Sequence, residues 1–350
     1  MRKIVIQRPG GYRQLTIREF ADPEPAADEV LIDVAACGVN FADCVTRMGL
    51  YASARHYVGY PLTPGFEVAG SVLATGSRVS DLPAASAVLA VTRFNGYSTR
   101  LCVPRNQVFR LPGGLPMQQA AAFPAAALTA WYALFRLAHP YPGSKLLVHS
   151  AAGGVGSMLV QLGKLAGCHV TGVVGSPHKV ATVEALGADA IIDRSAGNLW
   201  PSAERSAPGG YDVILDANGA ATLKQSYRHL APTGRLVVYG FHSMLVTRNG
   251  RPSWPRLVLD WLRTPRFSPF DLTTNNRSVL GFNLSYLFER SELLQTGMRQ
   301  LLAWLAQGDL QPPAVTAFPF ARAADAHRAL ESGQTTGKLV LVVTPPEQTG

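Results

Sequence analysis

A glycine-rich turn between a short apolar run and an amphipathic segment is the stretch of sequence best suited to chemistry. Residues 146–148 form the apolar run, typical of a buried strand, and the turn has the spacing GxGxxG with Ala151 at the first glycine position. Gly153 would let a pyrophosphate approach the backbone, and Gly156 would let the next helix pack closely. The N–H groups and dipole of that helix favour anions. We therefore expect a dinucleotide site, contacted by Ala151, Gly153, Gly154, Val155 and Gly156.

The residues after the next predicted strand bear on which dinucleotide would bind. NAD sites carry an acidic residue about 20 residues beyond the turn, where it bonds the ribose 2′-hydroxyl. Here Val174 is followed by glycine and then Ser176, with no acid, and Lys179 and Arg194 offer cations for a 2′-phosphate. The alternative for Lys179 is a solvated lysine on a helix face. The missing acid favours NADPH over NADH.

Alternating strand and helix patterns from residue 145 onward must position these groups. Further strands are predicted at 169–174, 190–193, 213–216, 235–239 and 279–283, and helices at 177–186 and 221–230. This alternation is typical of a doubly wound parallel sheet, which binds ligands at the carboxyl ends of its strands. Gly240 and Phe241 end the fifth strand, and Phe282 and Asn283 end the sixth, so we expect them to line a cofactor cleft.

The rest of the chain has a different rhythm. Short strands separated by Gly and Pro are predicted at 4–6, 15–17, 29–35, 68–74 and 87–91, which indicates a barrel-like β domain before a helix from about Met117. The connector 242–278 contains a basic amphipathic helix of about ten residues around Trp254 and Trp261. Its apolar stripe could pack on its own subunit, on a partner or on a membrane, and we favour burial by protein. A helix up to Gln307 and a strand at 337–343 end the chain, and that strand is expected to return to the first domain.

Composition restricts the class of protein. The chain has 350 residues, 47% hydrophobic and 16% charged, which predicts two globular domains. We see no long apolar run, no signal sequence and no paired cysteine spacing among four cysteines, so we expect a cytoplasmic protein with free thiols. The net charge of +9 fits a phosphate-rich cofactor, and no nucleic-acid motif accompanies it.

Five motifs in order resemble one known family. They are CGVNFAD at 37–43, RMGLY at 47–51, PGFEVAG at 64–70, the glycine turn and TGKLV at 336–340. Together they are similar to the zinc-independent, zeta-crystallin-like quinone oxidoreductases of the medium-chain dehydrogenase/reductase superfamily. The connector and GFNLSYL at 281–287 look most like the vesicle amine transport protein-like branch. One departure is AASAV at 84–88, where the family has Gly-Asp-Arg-Val.

The resemblance implies a GroES-like β-barrel catalytic domain at 1–121, with 286–350 returning to it, and a Rossmann domain at 122–285. It implies NADPH-dependent hydride transfer to a quinone or α,β-unsaturated carbonyl, with Tyr51, Asn40 and Asp43 as catalytic residues. Tyr51 is the candidate donor to the substrate oxygen, although a purely packing role is the alternative. Thr129, taken as the start of a helix, and Lys338 are expected near the cofactor.

The same resemblance argues against a metal. Zinc alcohol dehydrogenases of this superfamily have a cysteine ligand where Asn40 stands and a histidine ligand where Phe66 stands, and neither replacement is a good zinc ligand. His149, Cys37 and Cys44 could suggest a nucleophile, but no Ser/His/Asp or Cys/His set is recognisable, so we expect buried spectators.

Two classes of function remain open at this point. One is the reductase, and the other is a nucleotide-binding protein that associates with membranes or partners through the connector helix. We also expect a homodimer that pairs the exposed sixth strand across a two-fold axis.

Overall fold

The structure, a computed structural model, describes residues 1–245 and 247–343, and at residues 247 and 248 it describes the backbone alone. Its strands are β1 Arg2–Ile6, β2 Leu15–Glu19, β3 Glu29–Val39, β4 Glu67–Thr75, β5 Ala87–Val91, β6 Arg100–Pro104, β7 Val108–Arg110, β8 Lys145–Val148, β9 His169–Val174, β10 Ala190–Asp193, β11 Tyr211–Asp216, β12 Leu230–Val238, β13 Thr247–Arg248, β14 Arg251–Pro252, β15 Ser278–Gly281, β16 Val315–Pro319 and β17 Lys338–Val342. Its α-helices are α1 Phe41–Met48, α2 Ala52–Tyr57, α3 Met117–Ala122, α4 Pro124–Trp131, α5 Gly154–Leu165, α6 Val180–Ala185, α7 Leu199–Ser206, α8 Leu223–Arg228, α9 Trp254–Arg263, α10 Pro269–Thr274, α11 Ser291–Gln307 and α12 Ala323–Glu331.

The chain divides into two units. The first unit holds residues 1–125, 249–251 and the segment from 285 onward, and the second holds 126–248 and 252–284. The domain ranges expected from the sequence, 1–121 with 286–350 and 122–285, stay a prediction about folding domains. Residues 344–350 of the expected range lie outside the described residues.

The first unit is built on a mixed sheet with the order β16-β17-β3-β4-β5-β7. The long strand β3 pairs with β4, and its first half pairs with β6 on the other side. Its second half pairs antiparallel with the C-terminal strand β17, with Leu341 opposite Cys37. Apolar side chains that alternate along these strands form the core. The result is that β16 and β17, from the last part of the sequence, share one sheet with strands from its first third, while β1 and β2 pair separately.

The second unit is a six-stranded parallel sheet with the order β10-β9-β8-β11-β12-β15. The strand order reverses between β8 and β11, so the sheet is doubly wound and its switch point follows β8. The second and third predicted strands match the observed ones, and β15 lies at the sheet edge as expected. The sixth strand ends at Gly281 and the fifth at Val238, so Gly240, Phe241, Phe282 and Asn283 follow their strands and do not end them.

One local expectation about a helix is wrong, and a second, burial of the α9 stripe by protein, stays a prediction for a partner chain. Thr129 does not start a helix: it lies inside α4, whose helical course continues as a π-helix over Tyr132–Ala138. The apolar side of α9 is not buried by its own chain, since Trp254, Val258, Trp261 and Leu262 are all more than half exposed. The buried position on this helix is Asp260, which pairs with Arg256.

The stretch AASAV forms a turn without a glycine. Ala85 has φ of 63°, in the left-handed region that costs an alanine about 1–2 kcal/mol, and its N–H donates to Val72 O at 2.8 Å. The turn therefore holds an alanine in a conformation that glycine adopts without strain. Within the described residues, no helix combines the length and apolarity that crossing a bilayer requires.

Candidate active site

The N-terminus of α1 carries two of the expected catalytic residues. Asn40 is the N-cap, with φ of −120° and ψ of 153°, and Asp43 lies in the first turn of the helix. The Asn40 N–H donates to Asp43 Oδ2 at 2.8 Å, which satisfies a backbone donor that the helix cannot. Asp43 Oδ1 accepts from the Gly65 N–H at 2.8 Å and so fixes a second segment of the chain. Asp43 thus holds the two backbone segments in place.

A buried ion pair fixes the side chain of Asn40. Lys338 Nζ donates to Asn40 Oδ1 at 2.7 Å, to Glu67 Oε1 at 2.7 Å and to Val39 O at 2.9 Å. Asn40 Nδ2 donates to the same Glu67 oxygen at 2.8 Å, while Glu67 Oε2 accepts from the Ala125 N–H at 2.7 Å. The three protons of the ammonium are engaged, so Lys338 orients Asn40, and its expected place near the cofactor stays a prediction.

Asp43 is a buried carboxylic acid that is unusually weak for an aspartate. Burial raises the pKa of its carboxyl from 3.8 to about 7, against the opposing effect of the Asn40 and Gly65 N–H groups, Lys338 and Tyr97. The carboxyl is completely shielded from solvent. Its ionisation therefore changes near neutral pH.

Tyr51 follows α1 in the sequence and packs against two other aromatic rings. It is the N-cap of α2, and its ring packs edge-on against Phe66 at 5.8 Å and Phe94 at 6.3 Å between centroids. Phe66 and Phe94 are buried, whereas Tyr51 is only half-buried. The structure thus gives Tyr51 a packing role, and its role as a donor to substrate stays a prediction.

The residues at the expected zinc-ligand positions do not fit a metal. Both side-chain atoms of Asn40 are bound to Lys338 and Glu67, and Phe66 has no donor atom. Within the described part of the chain, one group of three potential ligands comes together, and it is formed by Cys44, His327 and Glu331. The Arg47 guanidinium donates to His327 Nδ1 and to Glu331 Oε1, so an arginine already takes the place that a metal ion would have beside these two atoms.

In the second unit the glycine turn has the geometry that an anion needs. Gly153 is the N-cap of α5, and the first backbone bond of the helix runs from the Ser157 N–H to Gly153 O. The preceding N–H groups of the first turn have no acceptor within the helix. A Cβ at Gly156 would lie 2.2 Å from Ser150 O, so only glycine allows this close packing of helix and strand. Ala151 is buried and donates to Val173 O, which ties the turn to β9.

Cationic side chains gather at the end of β9. A Cβ at Gly175 would lie 3.5 Å from both Nε and one Nη of Arg194, so this guanidinium lies against the backbone there. Lys179 is 9% exposed, and burial, followed by the charge of Arg194, lowers its pKa. Ser176 lies between Gly175 and Lys179 in the sequence and is the N-cap of the short 3₁₀ turn Pro177–Lys179. Two cations next to a serine, with no acid, suit a phosphate.

Aromatic rings lie at the ends of β12 and β15. Phe241 is 49% exposed, and a Cβ on Gly219 would touch its ring at 2.9 Å. Phe282 packs against Tyr132 with centroids 4.8 Å apart and against Tyr239 at 6.4 Å. Gly240 passes close to Ala217, where a Cβ would meet the carbonyl at 3.1 Å. Asn283 follows Phe282, and Thr129 lies in α4 of the same unit.

The structure brings a serine, a histidine and an aspartate together, but not as a nucleophile. Ser226 Oγ donates to Asp216 Oδ2 at 2.8 Å, and His149 Nε2 lies 3.1 Å from Ser226 Oγ. The serine therefore stands between the other two and gives its proton to the acid, and all three side chains are fully buried. Burial raises the pKa of Cys37 and of Cys44, which keeps both as unreactive thiols.

Sequence reasoning did not connect three residues with Asp43, which Tyr97 contacts directly and His327 and Arg47 reach through Tyr97. Tyr97 donates to Asp43 Oδ2 at 3.2 Å, His327 lies beyond Tyr97, and Arg47 lies beyond His327. Arg47 was noticed only as part of the RMGLY motif. Tyr97 and His327 are separated by 230 residues, so no local pattern could have joined them.

Comparison with known proteins agrees with this geometry. Residues 26–130 match the model of the alcohol dehydrogenase GroES-like domain, and residues 186–341 match that of a zinc-binding dehydrogenase. The chain is 31% identical over 350 residues to the human synaptic vesicle membrane protein VAT-1 homolog, covering 99% of this chain and 88% of that protein.

Two solved structures extend this likeness over nearly the whole chain. The crystal structure of the human VAT-1 homolog-like protein superposes with a TM-score of 0.83 at 28% identity, covering 99% of each chain. Escherichia coli quinone oxidoreductase complexed with NADPH gives a TM-score of 0.85 at 26% identity, covering 98% of this chain and all of that one. A GroES-like unit, a Rossmann sheet with an intact glycine turn and this degree of identity lead to one conclusion: the chain belongs to the oxidoreductases of the medium-chain dehydrogenase/reductase superfamily, in their zeta-crystallin-like, VAT-1-like branch.

Proposed function

We propose that this protein is an NADPH-dependent, zinc-independent oxidoreductase that transfers hydride to a quinone or an α,β-unsaturated carbonyl. The observation that carries the proposal is the pair of cations at the end of β9, where Arg194 lies against Gly175 and Lys179 is buried nearby. A 2′-phosphate would offset the electrostatic cost of holding two cations together. The NADPH complex of the Escherichia coli quinone oxidoreductase supports the choice of cofactor.

Different residues of the second unit would bind different parts of the cofactor. The turn of Ala151, Gly153, Gly154, Val155 and Gly156 would take the pyrophosphate at the α5 N-terminus. Ser176, Lys179 and Arg194 would take the 2′-phosphate. Residues at the strand ends would surround the nicotinamide, and these are Thr129, Gly240, Phe241, Phe282 and Asn283. When bound, NADPH supplies the hydride.

The first unit would bind and orient the quinone or enone that accepts the hydride. The conjugated acceptor delocalises charge onto its carbonyl oxygen, so the protein needs to supply a hydrogen-bond donor and orientation, without a Lewis acid. The Tyr51 phenol is our candidate donor. Asn40, fixed by Lys338 and Glu67, would present a rigid polar edge. Phe66 occupies the position of a zinc ligand with an apolar ring, which supports the metal-free proposal.

Cofactor titration tests the central part of the proposal. NADPH should bind more tightly than NADH, and Lys179→Ala or Arg194→Ala should weaken NADPH by about 10–100-fold, the loss of one hydrogen bond to a charged group. NADH affinity should change little. Lys164→Ala is the matched control, because this lysine lies on α5 of the same unit and pairs with Asp189. Equal affinity for the two cofactors would refute the NADPH proposal.

A second candidate function rests on a separate observation, the exposed apolar side of α9. Trp254, Val258, Trp261 and Leu262 face away from their own chain beside basic residues, which fits a nucleotide-binding protein that associates with a membrane or partner. Turnover with a panel of quinones and enones separates the two functions. Measurable NADPH oxidation that depends on the acceptor supports the reductase, whereas tight NADPH binding without turnover supports the alternative.

We also propose a cytoplasmic homodimer. Strand β15 lies at the edge of the parallel sheet, with β12 on its one paired side. An edge strand of this kind is protected when another strand pairs with it, and a two-fold axis would supply the same strand from a second copy.

A further inference from the structure

Four buried side chains in the first unit form a hydrogen-bonded chain that ends on Asp43. Arg47 Nε donates to His327 Nδ1 at 3.4 Å, and His327 Nε2 lies 3.1 Å from Tyr97 Oη. Tyr97 Oη donates to Asp43 Oδ2 at 3.2 Å. Each of the four residues is 0% exposed, so water does not compete for these bonds.

The guanidinium fixes the direction of every bond in this chain. A guanidinium has N–H donors and no acceptor atom, so His327 Nδ1 must accept the bond from Arg47 Nε. Burial, followed by the charge of Arg47, lowers the pKa of His327 to about 3, so the ring is neutral and carries its proton on Nε2. That proton is donated to Tyr97 Oη. Burial raises the pKa of Tyr97 well above its usual value, so its hydroxyl keeps a proton and donates it to Asp43.

Arg47 is held so that it cannot turn away. Its Nη1 donates to Gly10 O at 3.1 Å and to Gly250 O at 2.6 Å, and its Nη2 pairs with Glu331 Oε1 at 2.5 Å. The ring of Tyr12 lies 4.5 Å from the guanidinium carbon and donates its own hydroxyl proton to Glu331. A Cβ at Gly250, whose φ is 72°, would lie 2.6 Å from Nη1, so glycine is required at this contact.

Several other groups surround Asp43. The ammonium of Lys338 on β17 favours the carboxylate, and the buried thiols of Cys37 on β3 and Cys44 on α1 are neutral. The backbone N–H groups of Asn40 and Gly65 donate to it. Burial opposes all of these and leaves the pKa of Asp43 at about 7. Removing one hydrogen-bond donor is therefore enough to change its protonation at neutral pH.

We propose that Arg47 and His327 are positioning residues, which act through the Tyr97 hydroxyl to keep the Asp43 carboxyl an acceptor for the backbone of Asn40 and Gly65. A proton on Asp43 Oδ2 would replace an acceptor by a donor that faces the Asn40 N–H and the Tyr97 O–H. Asn40 would then lose the contact that sets its N-cap geometry. The consequence for catalysis rests on the proposed reductase function, whereas the protonation of Asp43 does not.

The pH dependence of kcat/KM tests the catalytic consequence. Wild-type kcat/KM should rise through a midpoint near pH 7. Tyr97→Phe and His327→Leu should move that midpoint up by about one pH unit, which lowers kcat/KM at pH 7 about fivefold and leaves it nearly unchanged at pH 9. His327→Gln should keep the wild-type midpoint, because its amide can accept from Arg47 and donate to Tyr97.

The matched control is Tyr211→Phe, which removes another buried hydroxyl, one that donates to Ala203 O in the second unit. It should lower stability without moving the midpoint. If Tyr97→Phe behaves in the same way, its role is merely structural and the proposal is overturned. If His327→Leu does not fold, the comparison of Tyr97→Phe with Tyr211→Phe decides.

Infrared spectroscopy gives a measurement that does not depend on activity. The carbonyl band of protonated Asp43 should be present at pH 6, largely lost at pH 8 and absent in Asp43→Asn. In Tyr97→Phe the band should persist at pH 8. If no acceptor is reduced, the reductase proposal fails while this spectrum still tests the hydrogen-bonded chain. A band that follows the same titration in wild type and in Tyr97→Phe would overturn the inference.

Discussion

Replacing Lys338 with methionine should destabilise the protein strongly, and the structure gives the magnitude. The Lys338 and Glu67 side chains are 5% and 0% exposed, and Nζ lies 2.7 Å from Glu67 Oε1. Methionine has a similar volume but no charge, so Lys338→Met leaves the Glu67 carboxylate buried with only Asn40 and the Ala125 N–H as partners. Breaking a buried pair in this way costs about 3–5 kcal/mol, which corresponds to a fall in thermal midpoint of roughly 6–20 °C.

Denaturant unfolding of three variants measures this pair. Lys338→Met and Glu67→Gln should each destabilise the protein, and the double variant should recover about 1–3 kcal/mol relative to the sum, because no charge is then left uncompensated. Arg78→Met is the control, since its partner Asp28 lies 3.6 Å away and the two side chains are 71% and 63% exposed. It should have little effect. A loss in Lys338→Met no larger than in Arg78→Met, or strictly additive effects, would refute the reasoning.

Three further predictions follow from the structure and the sequence. Elemental analysis of protein purified without affinity metals should find no stoichiometric zinc, and one zinc per chain would contradict our interpretation of Asn40 and Phe66. Light scattering should give about twice the chain mass of 37.4 kDa, and vesicle flotation should show little binding at physiological salt. A monomer would refute edge pairing, while salt-sensitive flotation lost in Trp261→Glu would favour the membrane alternative. Because the folded pKa of Asp43 is about 7, above its usual 3.8, its contribution to stability should fall as pH rises from about 4 to 7. The pKa of His327 is about 3 in the folded protein against a usual 6.5, so this residue makes the free energy of unfolding rise with pH over the same range. The measurement is therefore the free energy of unfolding against pH in wild type and in Asp43→Asn, and the difference between the two slopes isolates Asp43.

Local patterns in the sequence were sufficient for the order of strands along the chain and the glycine turn of the second unit, although not for every element boundary. A parallel sheet needs an apolar run, a turn and a helix in succession, and each of these has its own periodicity and punctuation. Strands β9 and β10 therefore match their predictions, and the glycine turn opens α5 as expected. The cation pair could also be predicted, because Lys179 and Arg194 follow adjacent strands of the sheet.

The hydrogen-bonded cluster of Asn40, Asp43, Glu67 and Lys338 depended on tertiary structure. Lys338 and Asn40 are 298 residues apart, and their contact exists because β17 pairs with β3. The sequence showed that Asn40 and Phe66 are poor zinc ligands, yet only the fold showed that an ammonium engages Asn40. From the sequence Lys338 was expected near the cofactor, and only the fold showed its three acceptors inside the first unit.

Which side chains are buried could also be learned only from the tertiary structure. The amphipathic pattern of α9 predicted the helix correctly, but the pattern does not say which side meets the protein, and Asp260 is buried while Trp261 is exposed. The pKa of Asp43 likewise depends on desolvation by distant elements and on a hydroxyl from Tyr97. Periodicity and turn residues are properties of neighbouring positions, so the sequence determined the order of elements and the anion-binding turn. The charges that face one another inside the first unit were decided by strand pairing across nearly the whole length of the chain.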